Sequence, residues 1–557
     1  MHDLFFGATP LTRTSTIVFG LLATVAPLSA VAAAPAVPVQ TLKDVTRELS
    51  SDAYAGREPV SAEEEKTIAY IADRFAKAGL KPGNQGSWYQ DVPMVEITAD
   101  PKVTLNFTGG SAPVSLAYKT DMAAWTWRVV PQSTIAASDV VFVGYGINAP
   151  EKGWNDYAGL DVRGKTVVIL VNDPDWDSKT ETGLFNGRRM TYYGRWTYKY
   201  EEAARQGAAA ALIVHDTEPA AYPWGVVVSS WTGPQINQDA ANGHSDQSAM
   251  VGWITQDSAS RLMASAGQNW AALKAAAKAK GFKPVPLGLK LDATLDNSIR
   301  KQVSRNVIGI QPGKARPNEY VLYTAHWDHL GRCEPVKGDN ICNGAVDNAS
   351  GTAGLIALAE MNGKAGRATR SQVFLAVTAE ESGLLGSKYY AENPVYPLKQ
   401  TVGGVNMDGL NVIGATRDIV ITGRGLAPDL DAIAIRWAAK GKRTISPETD
   451  VEKGYYYRSD HFSMAKLGVP MLAAESGLNL IKGGTAAGRA AADDYTTNRY
   501  HKPQDEYDPK WNWSGAVQDL TLHYNVGREL ANNNIWPNWA PTAEFRAIRD
   551  KSRAGGK

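Results

Sequence analysis

From residue 306 onward, short apolar runs alternate with stretches of helical period. Residues 307–310, 320–325, 373–378, 401–406, 418–422 and 469–474 are apolar, β-prone and only a few residues long, as expected of buried strands. Between them, residues 351–361 and 429–440 read as helices, and a last helix falls within 510–535, with Leu520, Leu522, Tyr524, Val526 and Leu530 as its apolar positions. This order predicts an α/β fold: a mostly parallel mixed sheet flanked by helices. Upstream, residues 42–49 read as a short helix. Ser61 and Glu64 have capping-box spacing ahead of Ile68, Ile71, Phe75 and Leu80, and Gly79 and Pro82 stop that second helix. A strand is expected at 88–94, and apolar and polar residues alternate over 103–107. Strands at 139–146, 164–171 and 208–214, with a helix at 200–206, make residues 131–295 read as a separate, β-rich module inserted ahead of the strand that ends at Ala325.

Length and composition narrow the class. A chain of 557 residues exceeds one ordinary core, which predicts two or three domains. Hydrophobic residues make up 44% and charged residues 21%, the balance of a globular protein. Lys+Arg at 58 against Asp+Glu at 57 leaves no basic field for nucleic acid. Residues 1–34 read as a signal peptide: Arg13, an apolar stretch over 17–28, then small residues over 29–34. No later stretch has the roughly 18 apolar residues of a membrane span, so the mature chain is expected without one, in the periplasm or the medium. In an oxidising compartment, Cys333 and Cys342 are expected to form a disulfide. The Arg- and aromatic-rich stretch 188–198 reads as a packed loop rather than a substrate-facing surface.

The candidate chemistry lies beside the strand ends. His326 and Asp328 close the strand at 320–325, at the edge where open α/β sheets bind ligands. Asp347 lies in the glycine-rich turn 344–351, Glu380 and Glu381 follow an apolar strand, Asp408 ends another, and His501 follows Tyr500 in a polar loop. Each stretch alone reads equally well as a cap or a turn. Adjacent acids ending an apolar strand are costly unless a positive charge is close, and a divalent metal would supply it.

Taken together and in order, His326-x-Asp328, Gly344-Ala-Val-Asp347-Asn-Ala-Ser-Gly351, Glu380-Glu381, Asn406-x-Asp408, Arg458-Ser-Asp-His461 and Tyr500-His501 resemble the co-catalytic dizinc aminopeptidases of the clan MH exopeptidases, peptidase family M28. The resemblance covers about 306–535 and the segment near 57–92. The module at 131–295 is more loosely similar to a protease-associated domain. The resemblance implies the zinc exopeptidase fold, divided as 35–130 and 296–540 around the insert, with 541–557 as a tail. It implies two Zn²⁺ ions, with Asp347 bridging, His326 and Asp408 completing one site, and Glu381 and His501 completing the other. Glu380 would be the general base, Asp328 would orient His326, Tyr500 would donate to the developing oxyanion, and Arg458 would touch the substrate carbonyl. The substrates implied are peptides, and the oligomeric state stays open. The alternatives are a carboxypeptidase of the same clan, a single-zinc glutaminyl cyclase, and a catalytically inactive binding protein on the same fold. The filled ligand positions speak against the cyclase, and the survival of Glu380 speaks against the inactive protein. His329 receives no role.

Overall fold

The structure, a computed structural model, describes residues 34–554. The segment read as a signal peptide therefore lies outside the described residues but for Ala34. Two sheets organise the chain, and one strand belongs to both. The 27-residue strand Val285–Gln311 alternates buried Leu287, Leu289, Leu291, Ala293 and Leu295 with outward residues along its first part. That part pairs antiparallel with Gln132–Phe142, Asp296 facing Gln132. One residue later Asn297 faces Ala99, and the strand continues antiparallel to Tyr89–Ala99 in the other sheet.

The first sheet holds the strands that end at the candidate site residues. At its centre four strands run parallel: Arg370–Val377, Arg316–His326, Thr401–Asn406 and Met471–Ser476. Antiparallel strands extend it on both sides: Val285–Gln311 pairs with Arg370–Val377, and Asp418–Thr422 pairs with Met471–Ser476. Arg370–Val377 and Thr401–Asn406 are buried along their whole length and Arg316–His326 is buried from Tyr320 on, which is why they read as continuous apolar runs. Helix Gly351–Ala365 is buried nearly all round, and helix Ser514–Asn532 buries Leu520, Leu522, Tyr524, Val526 and Leu530. Each such Leu or Val contributes roughly 1.5–3 kcal/mol over leaving it in water. Gly527 passes so close to Tyr323 that a Cβ would sit 2.1 Å from the phenol oxygen, so helix and sheet meet only with glycine there.

The second sheet holds a parallel set, Gln132–Phe142, Thr166–Leu170, Ala210–His215 and Met250–Thr255. It reaches further toward the N-terminus than residue 131. Thr104–Thr108 pairs with the long strand and Met122–Trp125 with Met250–Thr255, because their buried faces belong to this sheet's core. Conversely, Pro234–Gln238 leaves it to pair with Tyr89–Ala99 in the first sheet. The C-terminal stretch carries helix Arg546–Ala554, whose buried Arg549 donates to the carbonyls of Thr401 and Val402, each at 3.0 Å.

Ser61 and Glu64 do not form the capping box their spacing predicts. The helix begins at Glu64, Ser61 Oγ is buried without a partner, and the Glu64 carboxylate accepts from Val60 N–H instead. The Cys333–Cys342 disulfide is present, with Cα atoms 5.9 Å apart, and staples the hairpin of Gly331–Val336 and Asp339–Cys342.

Candidate active site

The carboxyl ends of the central parallel strands converge on one edge of the sheet. His326 is the last residue of its strand, with Asp328 two residues on. Glu380 and Glu381 follow Arg370–Val377, and Asp408 follows Thr401–Asn406. Asp347 comes from the turn 345–350, where its backbone leaves helical geometry (φ −104°, ψ 97°), and His501 from the loop after helix Gly484–Asn498. Gly344, at φ +54°, opens that turn: a Cβ there would lie 2.5 Å from the His329 ring.

The donor atoms gather in two groups that share Asp347. His326 Nε2 lies 3.3 Å from Asp347 Oδ1 and 3.1 Å from Asp408 Oδ1. His501 Nε2 lies 3.3 Å from Asp347 Oδ2 and 3.1 Å from Glu381 Oε2. The imidazole left without a role, His329, joins the second group: its Nδ1 is 2.6 Å from Glu381 Oε1. Asp347 Oδ1 and His501 Nε2 are buried, yet neither has a partner in hydrogen-bonding geometry. Carboxylate oxygens and imidazole nitrogens converging on shared points, with Asp347 Oδ1 and His501 Nε2 left unpartnered there, are a donor set that fits divalent zinc.

The electrostatics agree. Burial opposes charge on His326, but Asp408, Glu380, Asp328 and Asp347 outweigh it and hold the imidazole well above its ordinary value. Burial likewise opposes charge on His501, yet Asp347 and Glu381 raise it to about 10. Burial would raise Glu381, but His329 and His501 bring it down to about 2. Glu380 differs. Burial pushes it well above the usual carboxylate range, with Asp408, Glu381 and Asp460 adding to the effect against His326. The site is rich in carboxylates that imidazoles and the nearby Arg57 guanidinium offset, and a cation bound among them would add to that neutralisation.

Asp328 does more than face His326. Its Oδ1 accepts from Glu380 N–H at 3.1 Å and its Oδ2 from Glu381 N–H at 3.4 Å, while Oδ1 also lies 3.6 Å from His326 Nδ1. His326 Nδ1 is closer to the Asp328 backbone carbonyl, at 3.2 Å. Tyr500 is 44% exposed and stacks on His501 at 3.8 Å; burial, then Asp347 and Glu381, push its phenol up. Arg458 is joined to the cluster by no hydrogen bond or ion pair among the described residues. Its guanidinium lies 5.7 Å from the ring centre of Tyr455.

Three buried residues support the site without having been singled out from the sequence. Arg57 donates to the carbonyls of Trp327, Leu49, Asn343 and Gly344 at 2.7–2.9 Å, which ties the N-terminal segment to two site loops. Burial pulls it down to about 10 against the pull of Asp328 and Asp505. Asp505 accepts from the backbone N–H groups of Val346 and Asp347 at 3.0 and 3.1 Å and so fixes the Asp347 turn. Asp460 is buried with both carboxylate oxygens unpartnered, and burial pushes it up to about 7. Arg57 has no local signal in the sequence, whereas Asp505 and Asp460 stood beside motifs that had one.

An α/β sheet presenting two histidine–carboxylate groups around a shared aspartate defines a candidate binuclear metal enzyme. Residues 306–525 match the model of Peptidase family M28. Aminopeptidase NAALADL1 of Mus musculus is 34% identical over 137 residues, 23% of this chain and 17% of the relative. A glutamate carboxypeptidase 2 homolog of Caenorhabditis elegans is 33% identical over 127 residues, 22% of this chain and 15% of the relative. The chain thus spans less than a fifth of the curated relatives it matches. Among solved structures, an aminopeptidase from Aneurinibacillus sp. strain AM-1 is 20% identical with a TM-score of 0.47, covering 90% of this chain and 95% of that one. BSAP, a zinc aminopeptidase from Bacillus subtilis, is 17% identical with a TM-score of 0.40, covering 91% and 98%.

Proposed function

We propose that this protein is an exported zinc aminopeptidase that hydrolyses the N-terminal residue from peptides. The observation that carries the reading is the pair of donor groups sharing Asp347, with the unpaired carboxyl of Glu380 beside them. His326, Asp347 and Asp408 would hold one zinc ion, and Asp347, Glu381 and His501 the other. Zinc bound there would supply a Lewis acid and a water of lowered pKa. His329 holds the Glu381 carboxylate by its second oxygen, and Asp328 fixes the backbone of both glutamates.

Glu380 takes the proton of the attacking water and passes it to the leaving amine. Its raised affinity for a proton suits that task, because a base of ordinary carboxylate strength would hold the proton too weakly. Tyr500 donates its phenol proton as a hydrogen bond to the developing oxyanion. The second sheet serves as a protease-associated domain, and residues 1–34 direct export.

The purified protein is expected to cleave aminoacyl chromogenic amides and to lose this activity to a chelator. Equal cleavage of amino-blocked peptides would reject the aminopeptidase reading while leaving a metallopeptidase.

A further inference from the structure

His326, Asp328 and His329 precede the disulfide-closed hairpin and Asp347 follows it, so the hairpin is the chain that joins two stretches of the site. Its strands, Gly331–Val336 and Asp339–Cys342, form a sheet of their own and pair with no strand of the two large sheets. Arg332, Glu334, Pro335, Lys337 and Asp339 are exposed. A lone two-stranded ribbon with so little buried surface is marginal in water.

The foot of this ribbon sets the two stretches in register. Gly331 faces Cys342 across it, and Gly56 fits between them: a Cβ there would lie 2.5 Å from the Gly331 carbonyl oxygen and 2.6 Å from that of Cys342. The next residue, Arg57, donates to Trp327 on one side at 2.8 Å, and to Asn343 and Gly344 on the other at 2.7 and 2.9 Å. One guanidinium reaches all three carbonyls only while both feet of the ribbon stay together. The Cys333–Cys342 bond is the covalent tie across those feet. Cys342 is fully buried, whereas Cys333 is partly exposed.

We propose that this disulfide is a redox gate on the candidate metal site. Closed, it holds the Asp347 turn against the His326 stretch. Opened by a dithiol, it frees the ribbon, and the two stretches lose the register on which the shared donor groups depend. A thiolate of the dithiol attacks Cys333 Sγ, on the more accessible cysteine; the S–S bond breaks, and Cys342 leaves as a thiolate that takes up a proton. The second thiol of the reagent, deprotonated, then displaces Cys333 Sγ, which takes up a proton in turn. The reagent ends as a cyclic disulfide and the protein as two thiols. Zinc is then held tightly by the oxidised chain alone, the form expected in a periplasm or the medium. The gate rests on the zinc reading of the site.

The test measures zinc affinity by competition with a chelator, for the oxidised protein and for protein reduced with dithiothreitol, which is removed before titration. Reduction is expected to weaken zinc binding about tenfold or more, as loss of an outer support does. The double variant Cys333→Ser and Cys342→Ser, which has no thiol of its own to bind metal, should match the reduced protein, with circular dichroism showing that both keep the fold. Linkage gives a second arm that needs no variant: zinc must make the disulfide harder to reduce by the same factor. Equilibrium against reduced and oxidised dithiothreitol, with free zinc fixed by a chelator buffer, reads that factor. Equal zinc affinity in both redox states overturns the gate while leaving the metal site. Loss of the whole fold on reduction overturns it as well, since the effect would not be local. An oxidised protein that binds no zinc rejects the metal reading itself, and the gate with it.

Discussion

Glu380 is the residue whose chemistry is most separable from its structure. Its side chain accepts no hydrogen bond among the described residues, while its backbone N–H is held by Asp328, so an amide of the same shape should sit in place. Glu380→Gln should therefore keep the metal content and lower kcat by about 10²–10⁴, as loss of a general base does. Metal analysis beside steady-state kinetics checks both halves, and full retained activity would remove Glu380 from the mechanism. Asp505 is the complementary case, since its carboxylate accepts from the backbone of the Asp347 turn and from the Tyr495 hydroxyl, at 3.2 Å, and from no proposed metal ligand's side chain. Asp505→Ala should weaken zinc binding by about 10–100-fold, the usual effect of losing an outer support. Titration against a competing chelator reads it, and unchanged affinity would reduce Asp505 to a packing residue. The main site residues were legible because each lies in a short stretch with its own pattern, a strand end or a glycine turn. Arg57 was not, because its four carbonyl acceptors lie on two loops far away in sequence and one helix end close by.

Among the elements, the buried helix Ser514–Asn532 carries a titratable group away from the proposed metal site. His523 lies within it, its Nε2 2.8 Å from the Ala474 carbonyl. Burial holds its imidazole below the ordinary value, although Asp519 pulls the other way. The unfolded chain therefore binds a proton there more readily than the folded one. Stability from this group is fully present above the unfolded value near about 6.5 and is lost as pH falls through the lower folded value. Between pH 7.5 and 5, His523→Gln should flatten the fall in unfolding midpoint relative to the unaltered protein; identical slopes would show that this histidine does not couple to folding. The disulfide-closed hairpin gives a second element-scale expectation. Its short closed loop constrains the unfolded chain by roughly 2–3 kcal/mol in the loop-closure account. The double change Cys333→Ser and Cys342→Ser should lower the denaturant midpoint accordingly. Apolar strands were readable from period alone, but the capping box failed because Glu64 reaches Val60 instead and the helix starts later.

At the scale of the molecule, the second sheet is not a bead on a string. One strand, Val285–Gln311, passes from one sheet to the other between Asp296 and Asn297, and another, Pro234–Gln238, crosses back. No local pattern announces such a crossing, since either sheet rewards the same alternation and only tertiary pairing chooses between them. The same coupling predicts how metal acts on the whole fold. Without a cation, Asp347, Glu381 and Asp408 crowd one sheet edge with charge that imidazoles and Arg57 offset, and Glu380 beside them is pushed toward its neutral form. Zinc that binds the folded state alone adds RT ln(1 + [L]/Kd), about 2.7 kcal/mol at a hundredfold excess over Kd. Because the sheet edge is shared by strands throughout the catalytic half, that gain should raise the main unfolding transition rather than a local one. Chelated protein should melt several degrees lower than the zinc-loaded form and recover on adding zinc, while His326→Ala should blunt the recovery. A midpoint indifferent to chelator and zinc alike would mean that these residues hold no metal, and the reaction proposed here would fall with it.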